Sequence, residues 1–426
     1  MISFLAKPQK FIVKPAPGWL DLAQLEVCAI IEAPLQKYKF SPEVKISGSS
    51  ILLSNCDYRQ ALELVLRGTL IHDVELILHS GRVTTRSGWK EFFEKSKILD
   101  VWPAEKRVNL HLMVRVTHPV VGSEKEVRDK LKAYLAEAGV HVANVSEDSG
   151  SAARGRVRIE SEKNRTQLLM SLAGRPLYIR AYKNVLAGAT APLPEHHAAA
   201  CFRWAVDEFE RKTKEVLHSG MVPVMVPFAG TGTLGFESAC QLLQYAPGLF
   251  RSDYAFKEFL FNPVKTVSTI ERRILSGLKK GTPRVIFGEI DPKVCEDLKA
   301  NISGFEEKTR EFSEDGECVK FYCVQNDFLK DPERLVGSEK MAFFLLNPPY
   351  GERLAKKTNS EALYGSLGRV LRKLGQKIIL SGMVLCGDEK SWRQFLTEIG
   401  TIKHKTRHFT HGGLDVRAVA FSNTNA

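Results

Sequence analysis

No stretch of this chain approaches the ~20 consecutive apolar residues that cross a bilayer, and the opening MISFLAKPQKFIVKPAPGWL has no continuous apolar signal core. The sequence therefore predicts a cytoplasmic protein with no membrane association. Cysteine is present but unpatterned: Cys28, Cys56, Cys201, Cys240, Cys295, Cys318, Cys323 and Cys386 form no CxxC pair and no Cys/His box of zinc spacing. Buried free thiols are expected, and no metal site. There is no internal repeat of 20–50 residues and no low-complexity tract, which excludes a solenoid or a mainly disordered chain. A phosphate-binding Gly-Lys-Ser/Thr loop is also missing.

What is present is globular. At 426 residues, 44% hydrophobic and 26% charged, the chain has the size of two or three domains and enough apolar content for proper cores. The formal net charge of +12 favours a polyanionic partner, because Lys and Arg neutralise phosphate. Residues 151–200 carry 8 Lys/Arg against 3 Asp/Glu, which concentrates that charge.

The first half reads as α+β. KFIVK (10–14) and ILLSN (51–55) have strand character, and YRQALELVLRG (58–68) has the period of a helix ended by glycine. From 106, KRVNLHLMVRVT alternates as a half-buried strand. A helix then follows, with a Ser123/Glu126 capping box and Gly139 at its end. In RGRVRIE the alternation of Arg154, Arg156 and Arg158 puts three guanidinium groups on one strand face. That face is either a phosphate contact or a solvated edge strand that uses charge against aggregation. Arg180 and Lys183 in YIRAYK extend the candidate RNA contacts.

After the Gly/Pro/Ala-rich segment 184–197 the texture becomes strand, loop, helix, repeated: VPVMVPF, PRVIFGEID, VKFYCVQND, MAFFLLNPPY and QKIILSGM each end in a polar or small residue and lead into helical periodicity. This is the pattern of a parallel, doubly wound sheet. Four strand ends carry the chemistry. Gly230 and Gly232 in VPFAGTGT allow a sharp backbone turn close to a ligand. Glu289 in GEID suits the two hydroxyls of a ribose, while Asp291 with Pro292 reads as a helix cap. Asp327 in QNDF could accept from an adenine amine or could simply form a turn.

The decisive segment is Asn347-Pro348-Pro349-Tyr350. Two prolines fix the backbone so that the Asn347 side-chain oxygen and the Pro348 carbonyl point into one space. Two such acceptors can hold both hydrogens of an exocyclic amine, and Tyr350 could stack on the base that bears it. An amine conjugated with a ring is a poor nucleophile. Acceptors that draw its hydrogens out of plane localise the lone pair.

In this order the motifs resemble those of class I S-adenosylmethionine-dependent amino-methyltransferases. With RVRIE…GRPLYIRAYK, APLPEHHAAACFRWA and APGLFRSDYAFKEF, the chain is similar to the bacterial THUMP-domain guanine-N(2) methyltransferases of large-subunit ribosomal RNA. That resemblance implies an α+β ferredoxin-like domain at 1–105, a THUMP RNA-binding domain at 106–183, a linker at 184–195 and a Rossmann-like methyltransferase domain at 196–426. It also implies that Pro227, Phe228, Gly230, Thr231, Gly232, Glu289 and Asp327 hold S-adenosylmethionine, and that Asn347, Pro348, Pro349 and Tyr350 orient the guanine amine. The sequence departs from the family at Val226, where an Asp is usual, and at Glu289, which is one methylene longer than the usual Asp. Rival readings are a transfer-RNA guanine methyltransferase, a DNA adenine methyltransferase, and an RNA-binding protein whose cofactor site has decayed.

Overall fold

The computed structural model describes residues 7–32, 40–102, 107–144, 155–162, 165–184, 193–208, 211–261, 264–312, 318–350 and 360–424. Its contacts divide the chain into two units. The first comprises Met1–Pro15, Ala23–Ile179 and Pro247–Arg273, and the second Ala16–Leu22, Arg180–Ala246 and Ile274–Ala426.

The first unit is built on one mixed sheet. Its strands are β1 (Gln9–Pro15), β2 (Glu43–Ser47), β3 (Ser50–Cys56), β4 (Ile71–Gly81), β5 (Arg107–Val116), β6 (His141–Asn144), β7 (Gly155–Glu162) and β8 (Arg165–Ser171), in the order β2-β3-β1-β4-β8-β7-β5-β6. The boundary expected at residue 105 thus falls between two strands of a single sheet, joined through the antiparallel β4–β8 pair. Alternation buries Phe11 and Val13 on β1 and Ile51 and Leu53 on β3, and Leu64 and Val65 of the helix Tyr58–Arg67 are buried as well. That helix starts at a capping box in which Asp57 accepts from Arg59 N (2.9 Å) and donates its own N–H to Gln60 Oε1 (2.9 Å). The expected Ser123/Glu126 box opens the helix Glu124–Glu137.

β7 is not an edge. It lies between β5 and β8, so the arginine face is interior. Arg156 is 7% and Arg158 8% exposed. Arg158 Nε donates to Glu75 Oε1 at 3.0 Å, and Arg156 lies 3.6 Å from Asp73. Lys14 holds Glu75 from β1 at 3.1 Å. Burial pushes the Glu75 carboxyl up, but Arg158 and Lys14 outweigh it and leave it below the usual range. Asp73, fully buried beside Glu75, is pushed up by burial and by that neighbouring charge. Both alternatives for this face, phosphate contact and solvated edge, are therefore corrected for Arg156 and Arg158, whose charge is spent inside the unit. Arg154 lies outside the described residues.

The second unit carries β9 (Val224–Pro227), β10 (Arg284–Glu289), β11 (Lys320–Gln325), β12 (Met341–Leu346), β13 (Ile379–Cys386), β14 (Lys403–His411) and β15 (Leu414–Ser422), ordered β11-β10-β9-β12-β13-β15-β14. The first five run parallel, and β15 is antiparallel to both β13 and β14. The sequence order reverses at β9, which pairs with β10 on one side and β12 on the other, so a crevice opens beyond the carboxyl ends of these strands. The doubly wound expectation for this half holds. Two short segments do not follow the expected division at 184–195. Residues 16–22 belong with this unit: Trp19 Nε1 donates to His197 Nδ1 (3.2 Å), and the Arg407 guanidinium lies 4.5 Å from the Trp19 ring. Pro247–Arg273 belongs with the first unit, where Arg251 donates to Ala173 O (3.1 Å) and Arg273 pairs with Glu63.

Among the described residues no helix is long and apolar enough to cross a membrane. All 8 cysteines are free thiols.

Candidate active site

The loop after β9 is shaped by backbone that side chains rarely allow. Phe228 adopts φ 64°, Gly230 φ 54° and Gly232 φ 88°. At Gly232, which precedes the helix Thr233–Leu243, a Cβ would stand 2.6 Å from Phe236 and 2.7 Å from Leu298, so only glycine fits. At Gly230 a Cβ would meet nothing within 4 Å. Its missing side chain faces open space, and that space is a cleft of about 730 Å³.

Glu289, at the end of β10, is fixed from three sides. Its Oε2 accepts from Gly230 N at 2.9 Å, and its Oε1 from Ile290 N (2.9 Å) and Asp291 N (3.2 Å). The carboxylate thus ties the glycine loop to the neighbouring strand while lining the cleft. Asp291 caps the helix Pro292–Thr309 through Lys293 N (2.8 Å), as expected. Asp327 forms the turn that was one of its two expected roles. Its Oδ1 accepts from Leu329 N (3.2 Å) in a turn, and it lines the cleft beyond β11.

Beyond β12, Asn347 and Pro349 form the opposite wall. The Asn347 side-chain oxygen is buried and has no hydrogen-bond partner among the described residues. Tyr350 is 2% exposed, and a Cβ at Gly387 would stand 2.4 Å from its ring, so the ring is packed inward against Gly387 and presents no open face for stacking. Pro348 and Pro227 are buried.

The structure thus gathers Phe228, Gly230, Thr231, Glu289, Asp327, Asn347 and Pro349 around one cavity. It does not bring Arg180 and Lys183 to a surface. Arg180 is 2% exposed and pairs with Glu237 at 3.4 Å, which also accepts from Tyr182 Oη at 2.7 Å. Lys183 pairs with Glu195 at 2.8 Å and donates to Thr233 Oγ1 at 3.0 Å. The expectation that these two cations contact RNA is corrected: buried acids on neighbouring helices claim them. Sequence reasoning also missed Thr233, which lines the cleft. Its place directly after Gly232 was the available signal.

Residues 221–417 match the family model described as an RMKL-like methyltransferase domain. This part of the chain is similar to the RMKL-like methyltransferases. Two curated relatives are the ribosomal RNA large subunit methyltransferases K/L of Buchnera aphidicola subsp. Schizaphis graminum and Hahella chejuensis, each 25% identical. The alignments take in 62% and 79% of this chain. They span only 35% and 45% of the relatives' own length, so the chain matches less than half of either protein. Among solved structures, SMU.472, described as a methyltransferase complexed with SAH, superposes with a TM-score of 0.71 at 16% identity over 99% of both chains. A protein from Listeria monocytogenes str. 4b F2365, described as an N6-adenine-specific DNA methylase, gives 0.71 at 17% identity over 98% of both. At those identities the likeness establishes the fold, an α/β methyltransferase with mixed sheets. The second unit thus places its glycine loop, Glu289 and Asn347 around the cleft at the strand-order reversal.

Proposed function

We propose that this chain transfers a methyl group from S-adenosylmethionine to the exocyclic 2-amino group of a guanine in RNA, large-subunit (23S) ribosomal RNA first. The observation that carries the reading is the buried Asn347 oxygen on the wall of the cleft, which has no hydrogen-bond partner among the described residues. Leaving such an acceptor unsatisfied costs about 1–3 kcal/mol. An acceptor kept at that cost fits a donor that arrives with the substrate, and an amine is such a donor.

The residues present also fit the cofactor. A cleft of about 730 Å³ is in the range that holds ligands of this size. S-adenosylmethionine, when bound, supplies an electrophilic methyl carbon on a sulfonium. Glu289 Oε2 retains one lone pair for a ribose hydroxyl after the carboxylate has accepted its three backbone bonds. Asp327 is available to an adenine amine, and the open side of Gly230 lets the ligand approach the backbone. Asn347 Oδ1 and the Pro348 carbonyl hold the two hydrogens of the target amine and aim its lone pair, which is positioning and preorganisation rather than proton removal. Because the target base must reach the cleft singly, it has to leave its stack.

RNA as substrate is supported by the names of the curated relatives and by the net charge of +12. We assign the first unit to RNA binding, with ferredoxin-like and THUMP character, through cations other than the buried Arg156 and Arg158. The cytoplasm is where such a substrate is met. The test offers the full chain labelled S-adenosylmethionine with deproteinised 23S ribosomal RNA, transfer RNA and duplex DNA in turn, followed by nucleoside analysis. N2-methylguanosine in 23S RNA is the expected product. The same product in transfer RNA alone would shift the substrate, and N6-methyladenine in DNA would overturn the reading.

A further inference from the structure

Two charged groups and one hydroxyl beside the glycine loop have no part in the chemistry above. Lys183 is buried, with 5% of its side chain exposed, and is paired to Glu195 at 2.8 Å. Its ammonium also donates to Thr233 Oγ1 at 3.0 Å. Thr233 is 6% exposed and lines the cleft. A threonine hydroxyl has one proton and two lone pairs. Once an ammonium takes up a lone pair, the hydroxyl's own proton must point away from that ammonium, and the cleft that Thr233 lines is open to it.

The order of strands indicates which part of a ligand Thr233 would meet. If adenine lies beside Asp327 at β11 and ribose beside Glu289 at β10, the next strand in the order, β9, would face the amino-acid end, and β12 beyond it the methyl acceptor. The end of β9 offers no charge of its own, since Val226 is fully buried and apolar.

Resting on the methyl-donor reading above, we propose that Lys183 is a positioning residue that turns the Thr233 hydroxyl into a donor for the carboxylate at the amino-acid end of S-adenosylmethionine. The Lys183–Glu195 pair is neutral overall, so its effect is exerted through the direction of one O–H bond and not through bulk attraction. A donor to a carboxylate forms a charge-assisted hydrogen bond.

The test compares two ligands by calorimetry on the full chain: S-adenosylmethionine, and 5′-methylthioadenosine, which lacks the amino-acid end. Lys183→Met is expected to raise the Kd for S-adenosylmethionine about tenfold, or ~1.4 kcal/mol, and to leave that for 5′-methylthioadenosine unchanged. Thr233→Val should do the same, and the double variant no more than either alone. Should Lys183→Met unfold the chain by stranding Glu195, Lys183→Met with Glu195→Gln removes the stranded charge and carries the same comparison. Equal losses for both ligands, or none for S-adenosylmethionine, would overturn the role. Wild-type protein that binds neither ligand would sink the methyl-donor reading, and this inference with it.

Discussion

Asn347→Ala is expected to cut turnover below a tenth of wild type while the affinity for S-adenosylmethionine stays within a few-fold. Its oxygen acts on the amine only as attack geometry is reached, so the loss belongs to kcat. Single-turnover methylation with a saturating donor checks this; a rate above about a tenth, equivalent to less than ~1.4 kcal/mol of barrier, would remove the amine-holding role. Arg158→Ala should be felt elsewhere. It strands Glu75, which is 1% exposed, and is expected to cost about 3 kcal/mol, the lower end of the range for a broken buried pair because Lys14 keeps its hold. Denaturant unfolding would show the loss, and the salt slope of RNA binding should not move. At this scale legibility was uneven for a physical reason. Glu289 and Asn347 were readable because an apolar strand ending in a polar residue fixes both place and direction. Alternation put Arg156 and Arg158 on one face, but the acids that claim them lie far off in sequence, Glu75 being 83 residues from Arg158.

Among the elements, the loop after β9 offers the sharpest contrast. Gly232→Ala forces a Cβ against Phe236 and Leu298 at a φ of 88°, and is expected to cost about 2–4 kcal/mol through strain and overpacking. Gly230→Ala meets open space, so only the left-handed backbone opposes it, at about 1 kcal/mol. Its methyl group instead projects toward the cleft and should weaken donor binding. Parallel unfolding and calorimetric titrations would separate the two; equal destabilisation would mean the loop is misread. The parallel strands of the second unit were legible because runs such as MAFFLL and VMVP need burial on both faces. The eight-stranded sheet of the first unit was not, since β4 and β8 pair across 90 or so residues by complementary edges that no local periodicity reports.

For the whole molecule, one acid-sensitive group sits in the first unit. Burial, helped by Arg156 and Lys14, holds the His72 imidazole down to about 4 from its ordinary 6.5. The unfolded chain therefore takes up this proton at higher pH than the folded one. Stability is complete above pH 6.5 and falls by up to about 3 kcal/mol as pH drops toward 4, below which this group contributes no further change. Thermal melts across that window, with His72→Gln flattening the curve, would check it; an unchanged slope in the variant would assign the loss to other groups.

The way the chain is threaded also sets a timetable. Multidomain proteins commonly fold from the N-terminus as they are made. Here the first unit lacks its segment Pro247–Arg273 until nearly two thirds of the chain exists, and residues 16–22 must wait for partners such as Arg407. A nascent chain stalled near residue 184 should be cleaved readily by added protease, and one stalled only after residue 273 should shield its first unit. Neither half can then mature as a free-standing cassette during synthesis, and a gene fusion that transplants residues 1–183 alone would carry an unfinished fold.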